Sequence, residues 1–539
     1  MREITGGQAV IETLVDSGVE KIFGIPGIHN LAIYDAIYDL GIDHISSRHE
    51  QGAGFMALGY ARTTGKPGVA LVITGPGLGN IATAMGQAFH DSVPMLVISS
   101  QVETSALDYR SGYLHEMKNS TFFASSVSKE SRCIEHAWQI PGALRDAYRL
   151  SVSGRPGPVH VEIPLDILEN VYTHADPVIV EKSEKPQTDS VDVNSVCDLL
   201  KESVNPIILA GGGSAAASAE VRMFSEKLAI PVVSTCAGKG VMDERHPLSL
   251  GCRLHFPPVQ AMLSESDLVI ALGTELSPTD FWERSLTLGK KLLCINTDPG
   301  AFYNQRTADI GIKGDVREVL GRYLEMDMEL PGAPEERYRR VDDAVKDSRA
   351  MLSEISGIKR ELPLILSALE QVRSVLPPEG IFWTDMATPS YIGISEYQAR
   401  EPLTFLHPVG FGTLGVALPG AIGSIVSSPG RKVCAMAGDG GFQFTLQELA
   451  IASELQLPLP LIVWNDRGYG EIRRNQSQKS PSRVIAVEHQ GLDFQALAKA
   501  YHMRGMRLGS VESLGELLAE SLESKGPTLI EIDVKECLK

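Results

Sequence analysis

The sequence predicts an α/β protein built from three doubly wound parallel-sheet domains, and three observations predict it. Short apolar runs alternate with longer amphipathic ones along the whole chain, the pattern of parallel βα units. Several of these runs end in glycine-rich turns. Two polar, charge-dense stretches divide the 539 residues into pieces that each suit one hydrophobic core.

The first piece, residues 1–175, carries VALVIT (Val69–Thr74) as a buried strand. The turn Gly75-Pro76-Gly77, a helix to about His90 and the strand MLVISS from Met95 follow it. A connector is expected over His174–Ser190, where two prolines interrupt dense charge. The second piece, residues 189–326, holds PIILA (Pro206–Ala210), the turn Gly211-Gly212-Gly213-Ser214, and the strands PVVST (Pro231–Thr235), LVIAL (Leu268–Leu272) and LLCIN (Leu292–Asn296). A second connector, Met326–Arg360, opens on LPGAPEERYRR and continues as a charged helical stretch. In the third piece, residues 361–539, VCAMA (Val433–Ala437) and LPLIVW (Leu459–Trp464) bracket a helix near Leu446–Leu455. Thr445 and Glu448 have the spacing of a capping box for that helix.

Lysine and arginine number 49 against 67 aspartates and glutamates, a formal net charge of −18. That balance argues against nucleic acid or an anionic membrane as partner, since both select a basic surface. A small anion needs only a few local N–H groups and is not excluded. Seven scattered cysteines with no C-x-x-C pair read as reduced thiols in a cytoplasmic protein, with neither a disulfide framework nor a zinc site. No apolar signal core opens the chain and no run of ~20 apolar residues occurs, so a membrane span is not expected. The turns at Gly75–Gly79 and Gly211–Gly213 invite a nicotinamide-dinucleotide reading. It fails because the fingerprint needs a carboxylate at the tip of the next strand to hold the ribose. Those strands end Ser99-Ser100-Gln101 and Ser234-Thr235-Cys236.

The third piece carries the most informative pattern. Gly438-Asp439-Gly440-Gly441 follows one strand directly, and Asn465-Asp466-Arg467-Gly468 follows the next. Asp439 and Asp466 lie 27 positions apart, room for one turn, one helix and one returning strand. Right-handed βαβ geometry then brings both to the carboxyl edge of neighbouring strands. Two hard oxygen ligands and a carbonyl in the turn at Gly468 suit Mg²⁺ or Ca²⁺, and Mg²⁺ would complete its octahedron with phosphate oxygens and water. Gly440 and Gly441 leave room for a diphosphate to approach the backbone at a helix N-terminus.

Longer runs accompany these turns: Arg48-His49-Glu50-Gln51-Gly52-Ala53, GYARTTGKPGVALVITGPG, SGRPGPVHVEIP (Ser153–Pro164) and GFGTLGVALPGAIG from Gly410. Together they resemble the thiamine diphosphate enzymes of the acetolactate synthase and 2-oxo acid decarboxylase type, over nearly the whole length. The resemblance implies thiamine diphosphate and Mg²⁺ as cofactors, with Asp439, Asp466 and Gly468 on the metal. One departure stands out, since the family usually has a second Asn where this chain has Asp466. Glu50 matches the carboxylate that bonds the cofactor's pyrimidine nitrogen and drives its imino tautomer. Leu414 matches the apolar wedge beneath the bent cofactor, and the Gly412 carbonyl and Leu414 N–H match the pyrimidine contacts. Gly27, Gly75, Ala387, Thr388, Gly438, Gly440, Gly441 and Tyr469 fall at further cofactor contacts. Because Glu50 and the diphosphate site lie on different domains, the resemblance implies a homodimer or homotetramer with each site at a subunit interface.

The implied reaction is decarboxylation of a 2-oxo acid, ending in aldehyde release or in ligation to a second carbonyl. His115, in Leu114-His115-Glu116, takes the place of the synthases' catalytic glutamine and is a proton-shuttle candidate, with a surface-loop histidine as the alternative. His29 is a second candidate at the pocket mouth. Asn475 stands where biosynthetic synthases carry the aromatic residue that selects 2-oxobutyrate, and Leu165 replaces a family lysine. Glu471 replaces an apolar pocket residue and suits a cationic substrate tail. These departures, with LHEM and GTELSPTDFW, resemble bacterial members that decarboxylate 5-guanidino-2-oxopentanoate. FAD is possible but not favoured: Arg155 matches a flavin contact, while the synthases' flavin loops are replaced by Leu250–His255 and Gly273–Leu276. A non-catalytic or regulatory homologue and a flavin-dependent, pyruvate-oxidase-like enzyme are the competing readings.

Overall fold

Strands that are apolar on both faces are stable only inside parallel sheets covered by helices, and the chain builds three such sheets of six strands each. The computed structural model describes residues 2–107, 110, 112–174 and 193–539. In spatial order the N-terminal sheet runs Asp43–Ser46, Lys21–Gly24, Gly68–Val72, Met95–Gln101, Pro158–Pro164 and Glu130–Cys133. The C-terminal sheet runs Phe405–Leu406, Ile381–Thr384, Val433–Gly438, Pro460–Asn465, Thr528–Asp533 and Arg504–Leu508. Counted along the chain, both follow the order 2-1-3-4-6-5. The central sheet differs, with the order 3-2-1-4-5-6: Ser249–Gly251, Val232–Ser234, Pro206–Ala210, Leu268–Leu272, Lys291–Asn296 and Ile310–Lys313. A two-stranded antiparallel ribbon, Arg2–Thr5 with Val171–His174, lies apart from them.

The strand order decides where ligands can bind. In an open doubly wound sheet the loops diverge where the order reverses, leaving a crevice at the carboxyl ends. In the N-terminal sheet the reversal falls between Lys21–Gly24 and Gly68–Val72, so the segments bearing Gly27, His29 and Gly75 flank it. In the C-terminal sheet it falls between Ile381–Thr384 and Val433–Gly438, flanked by Asp385–Thr388 and Gly438–Gly441.

Residues 175–190 of the first expected connector lie outside the described residues. The second expected connector contains the helix Pro334–Ile355, whose Val341 and Ala344 pack in the central core while Leu352 packs in the C-terminal one. Arg337 in this helix is buried and donates to the carbonyls of Val204 and Leu228. The capping box expected at Thr445 and Glu448 does not form. Thr445 Oγ1 donates to the Gly415 carbonyl at 2.7 Å, and the Glu448 carboxylate reaches the N-terminal domain. Long-range acceptors and donors have won both side chains from the local motif. Among the described residues no helix is long and apolar enough to cross a membrane.

The N- and C-terminal domains share one core, and its spine is a pair of helices, Glu50–Thr64 and Ala417–Ser427. Small residues let the two backbones touch. A Cβ on Gly59 would lie 2.1 Å from the Gly420 carbonyl oxygen, and one on Gly423 would lie 2.0 Å from that of Met56. Ser424 Oγ anchors the seam, receiving bonds from Thr63 Oγ1 and Trp383 Nε1, each at 2.8 Å. Gly59→Ala forces these backbones apart, and overpacking of this kind costs about 1–3 kcal/mol. A lowered denaturant midpoint at unchanged slope checks this.

Candidate active site

The carboxylates of Asp439 and Asp466 meet at the tips of adjacent strands, as βαβ geometry requires. Burial, reinforced by the charge of Asp439, pushes the Asp466 carboxyl up to about 7. Burial also raises that of Asp439. Asp439 Oδ1 is buried without a hydrogen-bond partner, and His489 Nδ1, likewise unpartnered, stands 4.0 Å from Asp439 Oδ2. Arg473 approaches Asp466 Oδ2 at 3.5 Å. Among the described residues no group of three or more His, Cys, Asp or Glu side chains is placed to hold a metal ion. Two neighbouring carboxylates, one oxygen of them buried without a partner, would fit Mg²⁺ in their ionised form with phosphate supplying further ligands.

These residues border a cavity of about 270 Å³. One wall is the phosphate-side turn, with Gly438, Gly440 and Gly441 before it and Asp466, Gly468 and Tyr469 beside it. Gly412 and Leu414 form another wall, and Ala387 and Thr388 line the end, where the helix Thr388–Glu396 begins. Gly412 and Gly415 take positive φ (69° and 90°), which glycine alone adopts without strain. Asp385 holds both walls together, accepting from the N–H of Gly415 at 2.7 Å and of Met386 at 2.8 Å. Burial pushes its carboxyl up to about 7. Gly440 is small for a reason the motif did not disclose: a Cβ there would meet the Tyr469 ring at 2.8 Å. Glu471 also lines the cavity, already paired with Arg474 and with Asn475 Nδ2, the latter at 2.8 Å. Asn475 itself is exposed.

The N-terminal residues gather separately, around the turn after Gly68–Val72. Gly75 (φ +66°) packs against the His115 backbone, where a Cβ would lie 2.5 Å from the carbonyl oxygen. The rings of His29 and His115 are 5.0 Å apart, and both Nδ1 atoms are buried without a partner. Burial, then the neighbouring His115, lowers the His29 imidazole. Gly27 is confined by Ile73, 2.5 Å from where a Cβ would stand. Glu50 opens the helix Glu50–Thr64 and accepts from Asn80 Nδ2 at 2.9 Å.

Within one chain these two groups are not one site. Glu50 does not line the cavity. The helix Pro76–His90 meets Glu50 at Asn80 and the Gly412 turn at Gln87, whose Oε1 accepts from Thr413 N–H at 3.2 Å. Seven residues of helix separate those contacts by about 10 Å. Asp385, Asn80 and Glu448 were not singled out for the site in the sequence. Asp385 had a readable signal, since it ends the apolar strand Ile381–Thr384 as Asp439 ends its own. Glu448 had none.

A second cavity, about 400 Å³, opens at the reversal point of the central sheet beside Gly212, Gly213 and Gly273. It is lined by Asp91, Glu275 and Asp280. Burial pushes Asp280 up to about 7, with further push from the charges of Asp91 and Glu275. Arg155 is tied to Glu275 at 2.5 Å.

Paired carboxylates beside a glycine-lined cavity stand at the crevice of one of two like-ordered sheets, where open α/β sheets bind their ligands. The chain belongs to the thiamine pyrophosphate enzymes: their N-terminal TPP binding domain matches residues 4–122, the central domain 193–323 and the C-terminal TPP binding domain 388–532. The chain is 36% identical over 534 residues to a probable 2-ketoarginine decarboxylase (AruI) of Pseudomonas aeruginosa, covering 98% of this chain and 94% of that one. Acetolactate synthase isozyme 1 large subunit of Escherichia coli is 30% identical over 541 residues, covering 99% and 94%. A probable acetolactate synthase large subunit of Methanocaldococcus jannaschii is 32% identical over 543 residues, covering 98% and 91%.

The raised Asp466 carboxyl has a measurable consequence. Asp466 stands near 7 in the fold against an ordinary 3.8, so the stability it contributes is complete below about pH 4 and lost as pH rises through 7. In EDTA, Asp466→Asn escapes this loss. Its stability relative to the parent chain rises between about pH 4 and 7, read by urea denaturation, and a pH-independent difference would contradict a raised Asp466 carboxyl.

Proposed function

We propose that this chain is a Mg²⁺- and thiamine diphosphate-dependent decarboxylase of a 2-oxo acid with a guanidinium tail, working as a homodimer or a larger even assembly. The observation that carries the reading is the cavity itself, where a carboxylate pair with a spare buried oxygen lies with a helix N-terminus and the positive-φ glycine turn at Gly412. Asp439, Asp466 and the Gly468 carbonyl would hold the metal. The Thr388 N–H would take a diphosphate oxygen, and Leu414, facing the cavity, would fix the cofactor's bend. Bound thiamine diphosphate supplies the carbon nucleophile and electron sink that 2-oxo acid decarboxylation needs.

The protein's own part is proton placement and orientation. Glu50 would hold a proton against the pyrimidine nitrogen, with Asn80 fixing its second oxygen. His115 and His29, both with a free buried Nδ1, would hand a proton to the product. For Glu50 to reach the cavity a second copy must supply it. Exposed apolar side chains flank both halves: Ile28, Leu31 and Leu114 beside one, Phe411, Phe444 and Ile472 beside the other. Such surface is ordinarily covered by a partner.

Glu471 supports the guanidinium class, because its carboxylate already accepts a guanidinium, that of Arg474, and the 36% identical relative bears the name of a 2-ketoarginine decarboxylase. FAD is not proposed. Three carboxylates line the central cavity, and the arginine that resembles a flavin contact is paired to one of them, a poor setting for a dinucleotide's phosphates.

Glu50→Gln lowers CO₂ release by about 10²-fold or more, the ordinary worth of a positioned acid–base group, and intact turnover refutes its role. Glu471→Gln raises KM for 5-guanidino-2-oxopentanoate about 10-fold while leaving that for 2-oxobutyrate unchanged, as loss of one charge-assisted bond predicts. Equal effects on both acids would remove Glu471 from substrate recognition.

A further inference from the structure

Glu448 belongs to the C-terminal domain and is fully buried, yet its carboxylate bonds the N-terminal one. Oε1 accepts from His49 N–H at 3.0 Å, and Arg48 N–H lies 3.2 and 3.1 Å from the two oxygens. His49 is the cap residue of the helix that Glu50 opens. Glycine at position 52 leaves the space, since a Cβ there would stand 2.3 Å from Glu448 Oε1. Glu50 lies on another side of the same first turn, against Gly77 and Asn80. Three residues before Glu448, Thr445 Oγ1 holds the Gly415 carbonyl, and Gly415 N–H is held by Asp385. Residues 445–448 therefore join the cavity wall to the helix that presents Glu50.

We propose that Glu448 is a positioning residue for Glu50, resting on the role of Glu50 given above. By fixing the backbone of Arg48 and His49 from outside their own domain, it sets the position and direction from which the Glu50 side chain leaves the helix. Catalytic geometry of this kind holds only when such supporting bonds lock the first turn. A residue acting through another leaves a signature: its removal adds nothing once the other is gone.

The test uses the full-length holoenzyme with thiamine diphosphate and Mg²⁺, in the parent, E448Q, E50Q and E50Q/E448Q. E448Q keeps one acceptor oxygen for the His49 N–H and turns an N–H₂ toward the Arg48 N–H. Expected are a fall of about 10-fold in kcat for CO₂ release, an unchanged KM, and the same residual kcat in E50Q and E50Q/E448Q. Amide hydrogen exchange across 48–52 quickens in cofactor-free E448Q, a readout independent of turnover. Gly52→Ala, which pushes the carboxylate aside without removing it, gives the same non-additive loss and serves if E448Q folds poorly. An E448Q chain with parental kcat, or one whose loss adds fully to that of E50Q, overturns the proposal while leaving Glu50 in its role. Parental turnover in E50Q overturns the reading of Glu50 and this proposal with it.

Discussion

Two helix backbones in contact govern the arrangement. Where Glu50–Thr64 crosses Ala417–Ser427, glycine carbonyls and α-carbons replace the usual layer of side chains. That closeness fuses the N- and C-terminal domains into one core. A shared core transmits position: interiors packed like crystals do not deform smoothly, so the carboxyl edges of the two sheets cannot drift independently. Glu448, Thr445 and the pair Thr413–Gln87 then bridge the same domains closer to the functional loops. The glycines at 59, 420 and 423 thus belong to the site's construction, although none of them approaches a cavity.

The like order of the two outer sheets explains a division of labour. Each presents one crevice, and each crevice has been given one kind of chemistry. The C-terminal crevice gathers oxygen ligands and N–H groups, suited to charge. The N-terminal crevice gathers a carboxylate and two imidazoles, suited to protons. The central sheet, wound in another order, opens a third crevice whose acidic lining sets it apart from both. On the proposed reading the two outer sheets carry the halves of one reaction, and within a single chain the helix Pro76–His90 holds the two groups of residues apart.

Much of this was legible in the residues. Apolar runs such as Pro206–Ala210 and Leu268–Leu272 coincide with strands residue for residue, because a fully buried strand leaves no choice of composition. The turns at Gly438–Gly441 and Asn465–Gly468 announced themselves through glycine and aspartate at strand ends. What could not be read was long-range. Thr445 and Glu448 have the spacing of a local cap, and nothing in the spacing says that partners 30 and 400 residues away will outbid the neighbouring N–H groups. Gly440 invited a ligand-clearance argument, yet the atom nearest to a side chain there belongs to Tyr469. Asp385 had a signal at its strand end, but its bond to Gly415 N–H, 30 residues away, could not be read from spacing.

The pairing of Glu471 with Arg474 bears on specificity beyond either residue. A carboxylate facing a cavity with no partner would attract any cation, and its desolvation would be costly. Supplied with an internal guanidinium one helical turn away, it is neutralised at rest. On the proposed reading a substrate guanidinium would enter by sharing or displacing Arg474, which a bidentate planar donor does well and a rounded ammonium does poorly. Ammonium-tailed acids of equal charge would then lose to guanidinium ones on geometry. The selecting element would be the pair of residues, so the charge at position 471 taken alone would understate how narrow the preference becomes.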